Sequence, residues 1–526
     1  MTTDHAVLSR PPAALTLIVT LLVALLPAAA GAQALPGLSS LRVAYSTRKA
    51  TTKPEGDLKT QIDAVDKEIA AAVRSGDIGE ARRQLARGMA LLAGTAWTPA
   101  LDFQNSLVIR TDRTVVDSSE PYAARLEQIY KPAIELTPAI TARVSLMQRR
   151  APASPGVGPA AVPPMVAVRD FGRLEGVARD LRESPFPMEF DLSGIPDGAY
   201  TLEAQVFDGD TALGAARLGI VLRKDLDARL RALEAGAATA PEALRADIRY
   251  PGDFIRNVNR GRVRLAPFDV AAELGVAEAV LTAAKKGQDP FQGRTGSMER
   301  HYLLPGADEV MPYRVYVPTG YRAATPTPLV VALHGLGANE DSFFDSYSGV
   351  PVKLAEQHGF LMVAPLGYRV DGFYGSPTGG ANDAAARRRL ELSEKDVLEA
   401  VRLTRAHYNV DANRIYLIGH SMGAIGTWYL GAKYPDLWAG LGPFSGAGNP
   451  GAVAGMKGIP QIVVHGDADS TVNVAGSRAM VAEMKRLGVE VVYIEVPGGS
   501  HTDVVVPNLP RVFEFLAAHR KGDGPR

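Results

Sequence analysis

From Met298 onward the chain alternates short, almost wholly apolar runs with helix-like stretches, and this alternation restricts its fold more than any other feature. Residues 313–317, 328–333, 361–364, 415–418, 461–464 and 489–496 read as strands, with helices between them. A strand that is apolar on both faces cannot border water on either. It has to lie inside a parallel sheet covered by helices on both sides. In such sheets, ligands bind beyond the carboxyl ends of the strands. Chemistry is therefore to be sought just after each apolar run.

The rest of the 526 residues leaves room for further domains. Residues 1–32 resemble a secretion signal. His5 and Arg10 precede an apolar run over 13–26, and Ala30-Gly31-Ala32 offers a cleavage site that would make Gln33 the first mature residue. Residues 33–290 are expected to form a helical plus β-sandwich-like region. Leu58, Ile62, Val65, Ile69 and Val73 recur at helical spacing, Ser75-Gly76-Asp77 breaks the pattern, and a second helix runs to about 95, which predicts a helical hairpin. Residues 106–109 and 114–116 are β-like, and the Pro/Ala/Gly-rich stretch 150–164 reads as a linker. Tyr200, Leu202, Ala204 and Val206 alternate between turns at 195–198 and 208–210, with a return strand over 215–222. Such turn-punctuated strands suggest a small immunoglobulin-like sandwich. Helices are predicted over 225–235 and 268–286, and 287–293 reads as the boundary before a C-terminal domain at 298–526.

Composition narrows the partners. Lys plus Arg equals Asp plus Glu at 57 each, so neither a nucleic-acid surface nor a polybasic membrane patch is indicated. No other run is long and apolar enough to span a bilayer, so no membrane contact is expected after signal cleavage. Cysteine is absent, which excludes disulfides, a thiol nucleophile and a lipidated cysteine. An exported protein, periplasmic or secreted, is the expectation. The oligomeric state is not readable.

The run Arg414-Ile-Tyr-Leu-Ile-Gly-His-Ser-Met-Gly423 carries an apolar strand straight into Gly-x-Ser-x-Gly, followed by a helix-like stretch. That turn holds Ser421 up at the end of a strand and at a helix N-terminus, where developing negative charge is favoured. A serine hydroxyl needs a base within reach, supported by a carboxylate. Eight of the nine histidines lie between His301 and His519, and only His465, His501 and His519 follow Ser421. His501 follows the last apparent strand in a glycine-containing loop and is the candidate base. His465 stands directly after its strand and is expected to face the sheet edge or its own loop. Asp467 and Asp469 both follow the penultimate strand, and spacing alone does not choose between them. The amide of Met422 and that of Leu336, in Leu333-His-Gly-Leu-Gly337, are the candidate oxyanion donors. Residues 371–382 could line the cleft, with Tyr374 as a substrate contact, or could form a solvated loop. Trp428 and Trp438 read as core. No His/Asp/Glu cluster has metal-ligand spacing, so neither metal nor cofactor is expected.

Residues from about 298 to 520 resemble the α/β-hydrolase superfamily. They are similar to its bacterial predicted-peptidase/esterase group, which includes relatives of dienelactone hydrolases, feruloyl and polyhydroxybutyrate-depolymerase-like esterases and the prolyl oligopeptidase catalytic domain. The carrying residues are Met311-Pro-Tyr-Arg-Val-Tyr-Val-Pro318, Leu333-His-Gly-Leu-Gly337, Gly419-His-Ser-Met-Gly423, Gly426-Thr-Trp428, Tyr434-Pro-Asp436, His465-Gly466 with Asp469, and His501. Ala424 departs from members with another glycine there. The resemblance implies a doubly wound, mostly parallel sheet and places Asp469 as the acid beside Ser421 and His501. It further implies a serine hydrolase of small or polymeric carboxylic esters. A prolyl-oligopeptidase-type peptidase is the alternative, and a binding protein with a relic site a more distant one. The upstream region shows no blade-length repeat, which leans toward esters.

Overall fold

The computed structural model describes residues 37–149, 164–264 and 268–522. The signal-like segment 1–32 and nearly all of the linker-like stretch at 150–164 lie outside these residues. Among the described residues no helix is long and apolar enough to cross a membrane.

The chain divides into two units, one of residues 1–236 and 251–278 and the other of 237–250 and 279–526. The first begins with helices α1 (Leu38–Thr52), α2 (Gly56–Ser75), α3 (Ile78–Leu92) and α4 (Pro99–Ser106). Helices α2 and α3 meet at Gly76, whose φ of 75° closes α2, while Asp77 caps α3 by accepting the Glu80 amide at 2.9 Å. Ile62, Val65, Ile69, Leu85 and Tyr45 fill the space among the first three helices.

Eight strands follow: β1 (Leu107–Arg110), β2 (Val115–Asp117), β3 (Tyr122–Gln128), β4 (Ile140–Arg149), β5 (Met165–Leu174), β6 (Phe186–Phe190), β7 (Gly198–Asp208) and β8 (Thr211–Arg223). They make a three-stranded sheet in the order β1-β3-β6 and a five-stranded sheet in the order β2-β8-β7-β4-β5. Inward residues of both sheets share one apolar cluster, in which Tyr200, Leu202, Ala204 and Val206 take part. Helix α5 (Leu226–Thr239) comes next, and the division between the units falls in its last turn and within α6 (Glu242–Asn259) and α7 (Val270–Lys285).

The second unit holds β9 (Gly296–Leu304), β10 (Glu309–Val317), β11 (Thr327–Leu333), α8 (Ser342–Asp345), α9 (Val350–His358) and β12 (Leu361–Pro365). It continues with α10 (Ala384–His407), β13 (Val410–His420), α11 (Met422–Lys433), β14 (Gly440–Phe444) and β15 (Gln461–Gly466), then α12 (Ala475–Leu487), β16 (Val491–Val496) and α13 (Val505–Ala517). The strand order is β16-β15-β14-β13-β11-β12-β10-β9. Strand β10 is antiparallel to both its neighbours, and every other pair is parallel.

Two of these strands, β9 and β14, go beyond those expected from the sequence. β14 has the sequence Gly-Leu-Gly-Pro-Phe, whose glycines and proline look like a loop. The packing explains it: a Cβ on Gly442 would come within 2.9 Å of Val512 on α13. The helix presses too closely on the sheet for a side chain, so a small residue outweighs β-propensity here. Helix α6 was likewise missed, because Pro251 interrupts its pattern. In the centre of the sheet, Ile415, Leu417 and Ile418 are almost wholly buried, each contributing about 1.5–3 kcal/mol of apolar burial.

Candidate active site

Strand β13 ends at His420 and α11 starts at Met422, so one residue makes the whole turn. Ser421 takes φ 59° and ψ −116°, a region that costs a residue with a side chain about 1–3 kcal/mol. Its surroundings hold it there. The Ser421 amide donates to the Phe444 carbonyl at 2.9 Å, and its own carbonyl accepts from the amides of Ala424 and Ile425 at 3.0 and 3.1 Å. The flanking glycines are sterically required. A Cβ on Gly419 would collide with the Gly423 carbonyl, and one on Gly423 with the Leu333 carbonyl. That second approach brings the end of β11 against the serine turn.

The loop after β11 therefore passes beside Ser421. A Cβ on Gly335 would lie 3.5 Å from the Ser421 Cβ. His334 braces this loop from inside, with Nδ1 2.8 Å from the Gly335 carbonyl and Nε2 2.7 Å from the Leu366 carbonyl. Burial pushes its pKa down, against the pull of the two carbonyls. The Gly337 amide donates to the Val370 carbonyl at 2.8 Å, joining this loop to the one after β12. The side chains of Leu336 and Val370 stand exposed, at 48% and 39%. Met422 is the first residue of α11, so its amide has no acceptor within the helix.

Asp469, from the loop after β15, meets His501, from the loop after β16. His501 Nδ1 lies 2.7 Å from Asp469 Oδ2, and the aspartate side chain is fully buried. Asp469 Oδ1 accepts the amides of Thr471 and Val472 at 2.8 and 2.9 Å. Burial would raise this carboxyl, but hydrogen bonds from His465, His501 and the Val472 amide outweigh it and hold the group well below the usual carboxylate range. Asp467, the rival on sequence, instead accepts the Gly498 amide at 2.6 Å and so ties down the loop that carries His501.

Two histidines make contacts that the sequence did not specify. Of the two places expected for it, His465 takes its own loop rather than the sheet edge: its Nε2 reaches Asp469 Oδ2 at 3.1 Å. His420, the residue before the serine, has Nε2 2.9 Å from the His501 carbonyl and Nδ1 2.9 Å from the Tyr347 hydroxyl. Burial, then the neighbouring His501, push its pKa down to about 4, so the ring is neutral near pH 7 and the Tyr347 hydroxyl donates to Nδ1. A histidine inside Gly-x-Ser-x-Gly was visible in the sequence, but nothing in its spacing showed what it would touch.

Tyr374 requires a correction. The sequence offers it as a substrate contact, but it is wholly buried, donates its hydroxyl to the His334 carbonyl at 3.0 Å, and packs against Gly367 and Gly426. It supports the Gly335–Gly337 loop from below. Trp428 and Trp438 are core residues as expected, at 2% and 1% exposure.

The second unit has one antiparallel strand near one edge, a serine turn after the fifth strand, a carboxylate after the seventh and a histidine after the eighth. This architecture is that of an α/β-hydrolase, in which the chain order runs serine, acid, histidine. Residues 306–484 match the family described as "Putative esterase". The chain is 30% identical over 135 residues to feruloyl esterase B of Neurospora crassa, spanning 25% of this chain and 44% of that protein. It is 27% identical over 168 residues to a probable acetylxylan esterase A of Neosartorya fischeri, spanning 32% and 43%. It thus spans under half the length of these curated relatives. Among solved structures it is similar to a ferulic acid esterase of Anaeromyces mucronatus, at 20% identity and a TM-score of 0.36 over 44% of this chain and 94% of that one. It is also similar to a thermostable esterase, at 16% identity and 0.38 over 80% and 96%.

Proposed function

We propose that this chain is an exported serine hydrolase of carboxylic esters that works through an acyl-enzyme. The observation that carries the reading is a strained Ser421 after β13 beside the Asp469–His501 pair from the loops after β15 and β16, with His420, next to the serine, reaching the His501 carbonyl at 2.9 Å. With His501 Nδ1–H donating to Asp469, Nε2 is the nitrogen free to take the Ser421 proton. Oγ then attacks the ester carbonyl carbon, and the carbonyl electrons move onto oxygen, where the Met422 and Leu336 amides stabilise them. Collapse of this intermediate breaks the bond to the alcohol oxygen, which leaves with the proton held by His501. Water, deprotonated by the same ring, then releases the acid. An oxyanion donor of this kind is worth about 3 kcal/mol.

The names of the relatives point to feruloyl esters or to acetylxylan. Exposed Leu336 and Val370, on loops joined beside the serine, favour an apolar acyl group over acetyl. Residues 33–290 are read as an accessory region containing an immunoglobulin-like sandwich, ahead of the hydrolase at 298–526. Two features support the sandwich. The first β segment is split, with β1 in one sheet and β2 pairing parallel with β8 in the other. In addition, the Tyr200 hydroxyl donates to the Pro196 carbonyl at 2.8 Å, the contact of a tyrosine corner. Residues 1–32 are read as the export signal.

Purified wild type and Ser421→Ala are to be compared on p-nitrophenyl acetate, methyl ferulate and a prolyl anilide. The expected result is hydrolysis of both esters, methyl ferulate preferred, with the variant inactive. Turnover of the anilide alone would replace the esterase by the peptidase reading, and equal activity of the variant would remove Ser421 from the chemistry. Mass spectrometry of protein from an exporting host should find Gln33 at the N-terminus.

A further inference from the structure

Resting on that reading, we infer that His465 is a positioning residue for the acid–base pair: it donates its Nε2–H to the same Asp469 oxygen that takes the Nδ1–H of His501. The two rings sit on Oδ2 at 3.1 and 2.7 Å. His465 Nε2 also lies 3.0 Å from the Val472 carbonyl. A carboxylate oxygen and a carbonyl both only accept, so this nitrogen carries hydrogen. The opposite side of the ring is anchored too. Nδ1 is 2.7 Å from the Ser477 hydroxyl on α12, which itself lies 2.9 Å from the Gly446 carbonyl. His465 and Ser477 are both fully buried, so the ring cannot swing away to water.

The four donors around Asp469 are evenly divided. The amides of Thr471 and Val472 occupy Oδ1, and the two imidazoles occupy Oδ2. An ionised carboxylate has about four acceptor sites, so the set is full. Without His465, Oδ2 keeps a single partner, and the carboxylate, held mainly by the two amides on Oδ1, is fixed less firmly about its Cβ–Cγ bond and carries the His501 ring with it. The charge His465 had shared would also fall wholly on His501, making that ring more basic. Two separate consequences follow: a slower chemical step through misalignment, and an acid limb of the rate profile moved to higher pH.

Asparagine and glutamine separate the two sides of the ring. In His465→Gln the amide nitrogen stands near the position of Nε2 and can donate to Asp469. In His465→Asn it stands near Nδ1 and reaches only toward Ser477. The other ionisable groups around the cluster stay unchanged in both: His420, Asp467, and Glu495, which lies opposite His465 on β16 and is bound by Arg478. Turnover of p-nitrophenyl acetate is to be measured against pH, normalised to the fraction of Ser421 labelled by a fluorophosphonate. His465→Asn should lower kcat about 10- to 100-fold with KM nearly unchanged, and raise the acid-limb pKa of kcat/KM by roughly half to one unit. His465→Gln should stay within about 3-fold of wild type. Equal behaviour of the two variants, or a loss fully accounted for by a smaller labelled fraction with an unmoved acid limb, would overturn the assignment. If asparagine prevents folding, Ser477→Ala is the second variant, expected to shift the same limb in the same direction by less; an unmoved limb there would also overturn it. A wild-type protein that neither labels nor turns over esters would instead defeat the esterase reading.

Discussion

The two units handle local strain and buried polarity differently. Among the described residues, the non-glycine positions with positive φ in the first unit are Lys53 and Asp225. The second unit has Asp308, Tyr347, Ser348, Tyr368, Phe373, Tyr374, Ser421 and Ser445. All of these except Asp308 lie after the carboxyl ends of β11 to β14. Buried polar groups join segments of chain in both units. In the first unit, Asp102 is engaged by Arg83 through Nε and Nη2 at 2.9 and 2.7 Å and accepts the Ala133 amide, and Asp117 accepts the amides of Ser119 and Asp227. Those carboxylates close one segment of chain on another. The second unit has such ties too, as where buried Asp247 meets Arg300 and His301, but it adds a cluster of buried histidines, His334, His420 and His465, at the carboxyl ends of β11, β13 and β15. Strained backbone persists only where neighbours overdetermine it, and here most of it gathers in the loops after β11 to β14.

The strongest way to break this contrast is at its centre. Ser421→Ala should cut kcat/KM on p-nitrophenyl acetate by at least about 10⁴-fold, and Asp469→Asn by about 10⁴-fold. Ser421→Gly should be equally inactive yet raise the unfolding free energy by about 1 kcal/mol, because glycine adopts that backbone conformation freely. A denaturant curve showing no gain would mean that no strain is stored at the turn.

Glycine substitutions test close approach against turn geometry. Gly423→Ala drives a methyl into the Leu333 carbonyl and should cost more than about 3 kcal/mol. Gly209→Ala, at φ 59° with open space around it, should cost only about 1 kcal/mol. Similar losses at both sites would erase the distinction between the units.

Acid titration sharpens the role of the buried imidazoles. His420 is held down to about 4 against its ordinary 6.5. Between these values the unfolded chain binds a proton that the folded chain does not, so stability falls as pH drops through that window, by up to about 3 kcal/mol. His420→Gln should flatten this decline, as measured by urea midpoints near pH 7 and pH 4.5. The smallest effect belongs to the first unit. Tyr200→Phe loses one hydrogen bond to the Pro196 carbonyl and should cost about 1 kcal/mol with kcat/KM unchanged.

Much of the second unit was legible because its signals are local. A wholly apolar run reports burial on both faces whatever the rest of the chain does, and glycine two residues either side of Ser421 reports a backbone crossing that any side chain would block. For that reason the sheet class, and the order in which Ser421, Asp469 and His501 follow the ends of their strands, could be read from the linear chain. β14 could not, since its glycines answer to a helix about 70 residues later in sequence. Nor could the partners of Asp467, Asp469, His465 and His420, which depend on how loops from β13, β15 and β16 fold over one another. Tyr374 shows the same limit in reverse: an aromatic residue in a glycine-rich loop looks available to substrate until packing buries it. Residue type and spacing determined which groups were present at the ends of the strands. Only the tertiary structure decided which donor met which acceptor, because a hydrogen bond depends on separations of a few tenths of an ångström that sequence distance does not encode.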